Sequence, residues 1–252
     1  MHDETLRAEF THQAASFAAS PAMTAPETLG VLLDLVPEDP SARWLDAACG
    51  PGLVACALAG RVGEVHGVDL TPAMAERARR TAAERGLANA TFSVGDATAL
   101  DLPAGSFDGA VSRFSLHHLP RPGRLVAELA RVVRPGGHVM LADHVAEEEA
   151  GEAAWHEEVE RLRDPSHWAC LTPSRLRALG DAAGLRLEHE RLVAFGLDFD
   201  DWLERGSGGR GARALIDDAL AERPAGTKAF AIVPRAGRRE LRLVLWLSRW
   251  AR

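Results

Sequence analysis

Tyrosine is absent from the 252 residues, and Lys228 is the only lysine. A mechanism built on a tyrosine acid or a Schiff-base lysine therefore has almost no candidates. Cysteine is scarce too: Cys49, Cys56 and Cys170 are an odd number and form no CxxC pair. Neither a disulfide framework nor a thiolate zinc site is encoded, and no metal is expected. The chain has no apolar run of about 18 residues, so no membrane span is expected. The first residues, MHDETLRAEF, lack the basic-then-apolar order of a secretory signal, which leads us to expect a cytoplasmic protein. With 29 basic against 36 acidic side chains the net charge is −7, and no long basic block occurs. Affinity gained by neutralising phosphates is excluded on that ground, so nucleic acid is not an expected partner.

What the chain does have is 46% hydrophobic residues, ample for a core. From Arg43 onward, short apolar runs alternate with helical stretches, the order that builds an α/β fold with a parallel sheet. The runs are WLDAA, EVHGVDL, ATFSVGD, FDGAVS and HVMLAD. Between them, Thr71 is placed to cap a helix that starts at Pro72 and closes at Gly86. A second helix, from Gly123 to Arg134, puts Leu125, Val126, Leu129, Val132 and Val133 on one stripe. After HVMLAD come an acidic helix, a loop DPSHWAC, a capped helix TPSRLRALGDAAG and a strand LRLEHERLV. DFDDWLERGSGGRGA reads as a short helix and a flexible glycine-rich loop, and the chain ends in a hairpin, KAFAIVP and ELRLVLWLSRW joined by RAGRR. The expected organisation is a helical lid over residues 1–42 and one domain over 43–252, with a cap insertion at about 146–226.

The stretch LDAACGPGLVA ends the first expected strand, where ligands of open α/β sheets sit. Gly50 and Gly52 let a ligand approach the backbone closely. The second strand ends in Asp69, seventeen residues after Gly52, near where a carboxylate accepts bonds from a ribose diol. Asp96 ends the third strand and could accept from an exocyclic amine. An isolated aspartate after a strand is often only a turn former. Three at one sheet edge point to an adenosine-type ligand. Asp46, four residues before Gly50, separates the two cofactors of that kind. NAD would set a pyrophosphate over the loop, where the carboxylate repels it; S-adenosylmethionine brings an ammonium and a sulfonium, which the carboxylate attracts. The absence of a TyrxxxLys pair argues against NAD as well.

LDAACGPG, VDLTPAM, GDATALDLPAGSFDGAV, SLHHL and LARVVRPGGHVMLAD follow one another over residues 43–143. In order and spacing they resemble the class I S-adenosylmethionine-dependent methyltransferases, in the type 11-like small-molecule branch related to ubiquinone and menaquinone biosynthesis methyltransferases. The resemblance implies a Rossmann-like, doubly wound, seven-stranded sheet with one antiparallel strand, which ELRLVLWLSRW could supply. It also implies that Asp46, Ala47, Gly50 and Gly52 form the loop around the methionine part and that Asp69 meets the ribose. Leu70 and Met74 would cover the adenine face, Asp96 and Ala97 its edge, while the backbone of Arg113 would approach the methionine part. FTHQAASFAAS is similar to the segment that folds over the cofactor, with Phe17 near the place where many relatives carry a tyrosine.

Methyl transfer is an in-line displacement that needs alignment, exclusion of water and sometimes a base. His117 and His118 after the fourth strand and His144 after the fifth are the candidate bases, against the alternative that they only pack or anchor loops. His167 and Trp168 in the cap are candidate acceptor contacts, with cap core as the alternative. The run Glu147 to Glu149 reads as a solvated helix start, and Cys49 as a small residue packed behind the loop. The expected partner is a small-molecule methyl acceptor. Trp246 and Trp250 suit either sheet core or a homodimer contact. Two other readings stay open: a protein of this fold that uses the bound sulfonium for cyclisation, decarboxylation or hydroxylation, and a non-catalytic cofactor-binding subunit.

Overall fold

The computed structural model of the chain describes residues 2–224 and 226–252; Met1 and Ala225, at the edges of the expected lid and cap, lie outside the described residues. The chain opens with α1 (His2–Ala19), then the short turns α2 (Pro21–Thr24) and α3 (Val31–Leu33), separated by a π-helical turn over Pro26–Gly30. There follow β1 (Asp39–Ala47), α4 (Leu53–Leu58), β2 (Val62–Asp69), α5 (Pro72–Glu84), β3 (Ala90–Val94) and β4 (Phe107–Arg113). Next come a 3₁₀ turn at Leu116–His118, α6 (Pro122–Val132), β5 (Val133–His144), α7 (Ala150–Arg163) and α8 (Pro173–Ala182). The rest is β6 (Arg186–Asp198), α9 (Phe199–Arg205), α10 (Gly209–Glu222), β7 (Phe230–Arg235) and β8 (Arg238–Ala251).

The strands form one sheet in the order β3-β2-β1-β4-β5-β8-β6. β1 to β5 run parallel, and β8 is antiparallel to both β5 and β6, so it is the reversed strand of the seven. The first half of β8 also pairs with β7, an additional short strand in line with β5. Their turn places Ala236 and Gly237 at φ 47° and 80°, both left-handed, the twist a two-residue hairpin turn needs. Two apolar layers cover the sheet. Trp44 points to one, with Leu53, Leu58, Val65 and Phe92. Leu45, the next residue, points to the other, with Leu125, Leu129 and Val133, as the period of two along a strand requires. Trp246 and Trp250 belong to this second layer and are wholly buried within one chain. They are sheet core, and neither is left to face a second copy.

Two segments depart from the pattern read in the sequence. GRGARALIDD is helical, not a flexible loop: α10 buries Ala212 and Ile216, and Trp155 Nε1 of α7 donates to Ala219 O at 3.0 Å. Glu147 to Glu149 do more than start a helix in water. Glu147 accepts from Ala229 N, Glu148 from Ser174 N and Oγ, and Glu149 caps α7 by accepting from Glu152 N. α6 stops at Val132, two residues short of Arg134, because Val133 already pairs with Phe107 in the sheet. No helix among the described residues is long and apolar enough to cross a membrane.

Candidate active site

Strand order reverses between β1 and β4, so a crevice opens above their carboxyl ends. The residues immediately after both strands, Ala48 and Phe114, take left-handed φ values of 56° and 54°. Such backbone costs of order 1–3 kcal/mol for a residue with a Cβ, and it collects at functional sites. Gly50 and Gly52 continue the turn at φ 52° and 78°, but for different reasons. A Cβ on Gly50 would meet nothing within 4 Å, whereas one on Gly52 would lie 2.9 Å from Ala78 Cβ and 3.1 Å from the Phe92 ring. Gly50 leaves room for a ligand; Gly52 lets the loop pack on α5.

The loop is held by carboxylates. Asp69 Oδ2 accepts from Gly50 N at 2.8 Å and its Oδ1 from Thr71 N at 2.9 Å, which ties the end of β2 to the loop after β1. Asp46 Oδ2 accepts from Ala55 N at 2.9 Å in the first turns of α4. Asp96 Oδ1 takes both the backbone N and the hydroxyl of Thr98, a closed turn at the end of β3. Arg113 donates from Nη2 to Met23 O at 2.8 Å, while its buried Nη1 has no partner. Burial lifts the Asp46 carboxyl to about 7, against the opposing pull of Ala55 N–H and Arg113. Burial also raises Asp69, and raises the Cys49 thiol well above its ordinary value, so Cys49 is a packed neutral side chain.

A cavity of about 230 Å³ lies in this crevice. Phe17, Asp46, Gly50, Asp69, Leu70, Met74, Asp96, Ala97 and Arg113 all line it. Ala47 and Gly52 do not: Ala47 is buried in the second apolar layer, and Gly52 faces α5. Phe10, which opens the segment expected over the cofactor, also lines the cavity, and so do His2, Asp3 and Leu6 before it, which sequence reasoning missed. The signal was present, because Leu6, Phe10, Gln13 and Phe17 recur at helical spacing.

A smaller chamber of about 60 Å³ adjoins the cavity and shares Phe10, Phe17, Phe114 and His118 with it. His117, His144 and His167 line only this chamber. His117 Nδ1 and Asp143 Oδ1 are 2.6 Å apart, and the backbone N–H groups of His117 and His144 also point at that carboxylate. Burial, then the neighbouring His144 and His167, hold His117 well below the ordinary histidine range. The ring is therefore neutral; it donates from Nδ1 to Asp143 and keeps Nε2 as its basic nitrogen. His144 behaves oppositely. Burial disfavours its charge, but Glu160 and Asp143 outweigh that and raise it. Glu160 in turn is held well below its usual value by His144 and His156, against burial. His118 is depressed by burial and by His117, with Nδ1 near Ser166 O and Oγ. His167 Nε2 meets Glu157 Oε2 at 2.8 Å. Trp168 reaches neither cavity: it is 47% exposed and stands edge-on to His2.

Donor atoms of His144, His156 and Cys170, of His117, Asp143 and His144, and of Glu157, His167 and Cys170 lie within 4.8 Å of one another, spacing that could hold a metal ion. Hydrogen bonds to Asp143 and Glu157 already engage His117 and His167. Burial and the carboxylates around it hold the Cys170 thiol protonated.

Residues 45–141 match the family model of the methyltransferase domain. The uncharacterised methyltransferase YcgJ of Bacillus subtilis (strain 168) is 33% identical over 180 residues, 71% of each chain. The aklanonic acid methyltransferase DauC of Streptomyces sp. (strain C5) is 36% identical over 117 residues, 45% of this chain and 53% of that one. Among solved structures, a protein of Bacillus halodurans C-125 described as a methyltransferase superposes with a TM-score of 0.82 at 28% identity, over 88% of this chain and 97% of the other. The chain belongs to the class I S-adenosylmethionine-dependent methyltransferases. It is a small-molecule enzyme of that family, and S-adenosylmethionine is its cofactor.

The residues present fit that cofactor. Asp46 is a buried carboxyl that an ammonium would ionise, and Arg113 has a buried guanidinium nitrogen awaiting an acceptor, as a methionine carboxylate would offer. Gly50 leaves the approach open.

Proposed function

We propose that the enzyme methylates a hydroxyl or amine of a small organic acceptor seated in the inner chamber, in cofactor or secondary metabolism, and that His117 takes the acceptor's proton. The observation that carries this reading is the His117–Asp143 pair in a chamber that shares a wall with the cofactor cavity. When bound, S-adenosylmethionine supplies an activated methyl group whose sulfonium charge disappears on transfer. Asp46 and Arg113 hold the amino-acid end, Asp69 the ribose hydroxyls, Leu70 and Met74 the adenine face, and Asp96 with Ala97 its edge. His117 accepts the proton at Nε2, and Asp143 fixes the tautomer and stabilises the cation that forms. His118, between the two cavities, positions the acceptor. His144, with Nε2 3.6 Å from Glu160, serves to shape the field around His117 rather than to accept a proton. α1 acts as the lid over both cavities, and the segment from about 146 to 226 encloses the acceptor.

A carbon acceptor that arrives already ionised, as an enolate, has no proton to give up and should be insensitive to His117, whereas a hydroxyl or amine acceptor should not. Formation of S-adenosylhomocysteine with an acceptor panel should fall about 10²–10⁴-fold in His117→Ala for hydroxyl or amine acceptors. Undiminished turnover in that variant would remove His117 from the chemistry. Because burial and neighbouring histidines hold His117 well below the ordinary range, the base form persists into mildly acidic solution, and turnover at saturating cofactor should persist with it.

A further inference from the structure

α9 places Arg205, 5% exposed, in the wall of the chamber. Its Nε and Nη1 are buried without a hydrogen-bond partner. The nearest carboxylate, Asp201, is 3.7 Å from Nε, beyond hydrogen-bond length, and is half-exposed. A buried guanidinium in this state is costly, because the water it lost has not been replaced. The other charges around the chamber cannot replace it. Arg163 is saturated by Trp202 O, Asp164 Oδ2 and Gln13. Of the two carboxylates lining the chamber, Asp164 is taken by Arg163, Ser166 and Gln13. Glu160 is hydrogen-bonded to His156 and stands 3.6 Å from His144 Nε2. Arg205 is left with two unpartnered guanidinium nitrogens in a chamber whose apolar wall includes Phe114, Phe195, Leu197, Trp202 and Leu243.

We infer that the acceptor carries a carboxylate, which pairs with Arg205 while its planar, apolar body lies among Phe114, Phe195 and Trp202 and its nucleophile faces His117. This specificity rests on the chamber being the acceptor site, as proposed above. It goes further than methyl transfer to a small molecule by naming the acceptor class, aromatic or unsaturated acids, and the residue that selects it. Arg205 lines only the chamber and not the cofactor cavity, so its role is separable from cofactor binding.

Benzoate and benzamide form a matched pair of probes, alike in shape and different in charge. Ligand-detected NMR titrations on the full chain loaded with S-adenosylhomocysteine should show benzoate binding at least about thirty-fold more tightly than benzamide. Arg205→Gln should abolish that preference, and Arg205→Lys should keep part of it, with S-adenosylhomocysteine affinity unchanged in both. Equal affinity for the two probes in the unsubstituted enzyme, a test that needs no variant, would overturn the inference and leave the chamber as a site for neutral acceptors. Binding of neither probe beside normal S-adenosylhomocysteine binding would overturn it together with the chamber's role. Retained benzoate preference in Arg205→Gln would place the anion elsewhere and overturn it too.

Discussion

Asp46, Asp69, Asp96 and Arg113 reach the cofactor cavity from the ends of β1, β2, β3 and β4, each a few residues from a glycine or a left-handed turn, whereas the inner chamber gathers Gln13, His117, His144, Asp164 and Arg205 from segments spread over most of the chain. The first is a local construction: Asp69 binds Gly50 N from nineteen residues away, and Asp96 binds Thr98 two residues on. The second is held together across the molecule, as where Gln13 reaches Asp164 over a separation of 151 residues. Their charges differ as well. The cofactor cavity pairs two buried carboxyls raised by burial, Asp46 and Asp69, with the unpartnered Nη1 of Arg113, while in the chamber Asp164 is engaged by neighbours and Arg205 keeps two unpartnered nitrogens. One family of folds can thus keep its cofactor half and rebuild its acceptor half without disturbing the other.

The comparison breaks most sharply at His117 and Asp69, one in each half. His117→Ala should cut turnover about 10²–10⁴-fold while calorimetric affinity for S-adenosylmethionine stays unchanged. Asp143→Asn should follow it, because the wrong tautomer of His117 would then be held. Asp69→Ala removes the charge-assisted bonds to Gly50 N in the loop and to Thr71 N, and should weaken cofactor binding about a hundredfold. A calorimetric titration of Asp69→Ala that matched the unsubstituted protein would separate the loop anchor from the binding site.

Asp46 sharpens the electrostatic side of the contrast. Its folded pKa of about 7 stands above the ordinary 3.8, so the folded chain binds more protons than the unfolded one between those values. Stability of the cofactor-free protein therefore falls as pH rises through that window and levels off above about 7. Asp46→Asn should remove this loss and raise Tm above pH 7, measured by thermal denaturation. Cofactor affinity should move the other way, rising with pH as Asp46 ionises, and be at least about tenfold lower and flat with pH in Asp46→Asn.

The smallest expected effect distinguishes two glycines of one loop. Gly50→Ala carries only the conformational cost of a positive φ, about 1 kcal/mol. Gly52→Ala adds a clash with Ala78 and Phe92 and should cost about 1–3 kcal/mol more. Chemical denaturation of both variants measures the difference, and equal losses would mean that α5 yields.

The same contrast explains what could be read in the sequence. The five parallel strands, the helix after Thr172 and the reversed final strand carry their own period and caps, so their residues announce them; the helix after Thr71 starts at Pro72 as its sequence predicts, but the Thr71 hydroxyl is buried without a partner and makes no capping bond. Asp46, Asp69 and Asp96 were legible because each ends a strand next to a turn. α10 was not, since GSGGRG reads as flexible until Ile216 finds α7 to pack against. Nor was Arg205 legible: an arginine in a short helix says nothing about the absence of a partner, which depends on α1, α7 and α9 meeting. Trp168, for which the sequence offers acceptor contact or cap core, is neither: it is 47% exposed, while its neighbour His167 turns inward to Glu157.

The most direct test is one calorimetric experiment: S-adenosylhomocysteine titrated into the unsubstituted protein, Asp46→Asn and His117→Ala at pH 8. We expect Asp46→Asn to lose affinity at least about tenfold and His117→Ala to match the unsubstituted protein. A His117→Ala loss as large as that of Asp46→Asn would contradict the account, because the two cavities would then be a single site.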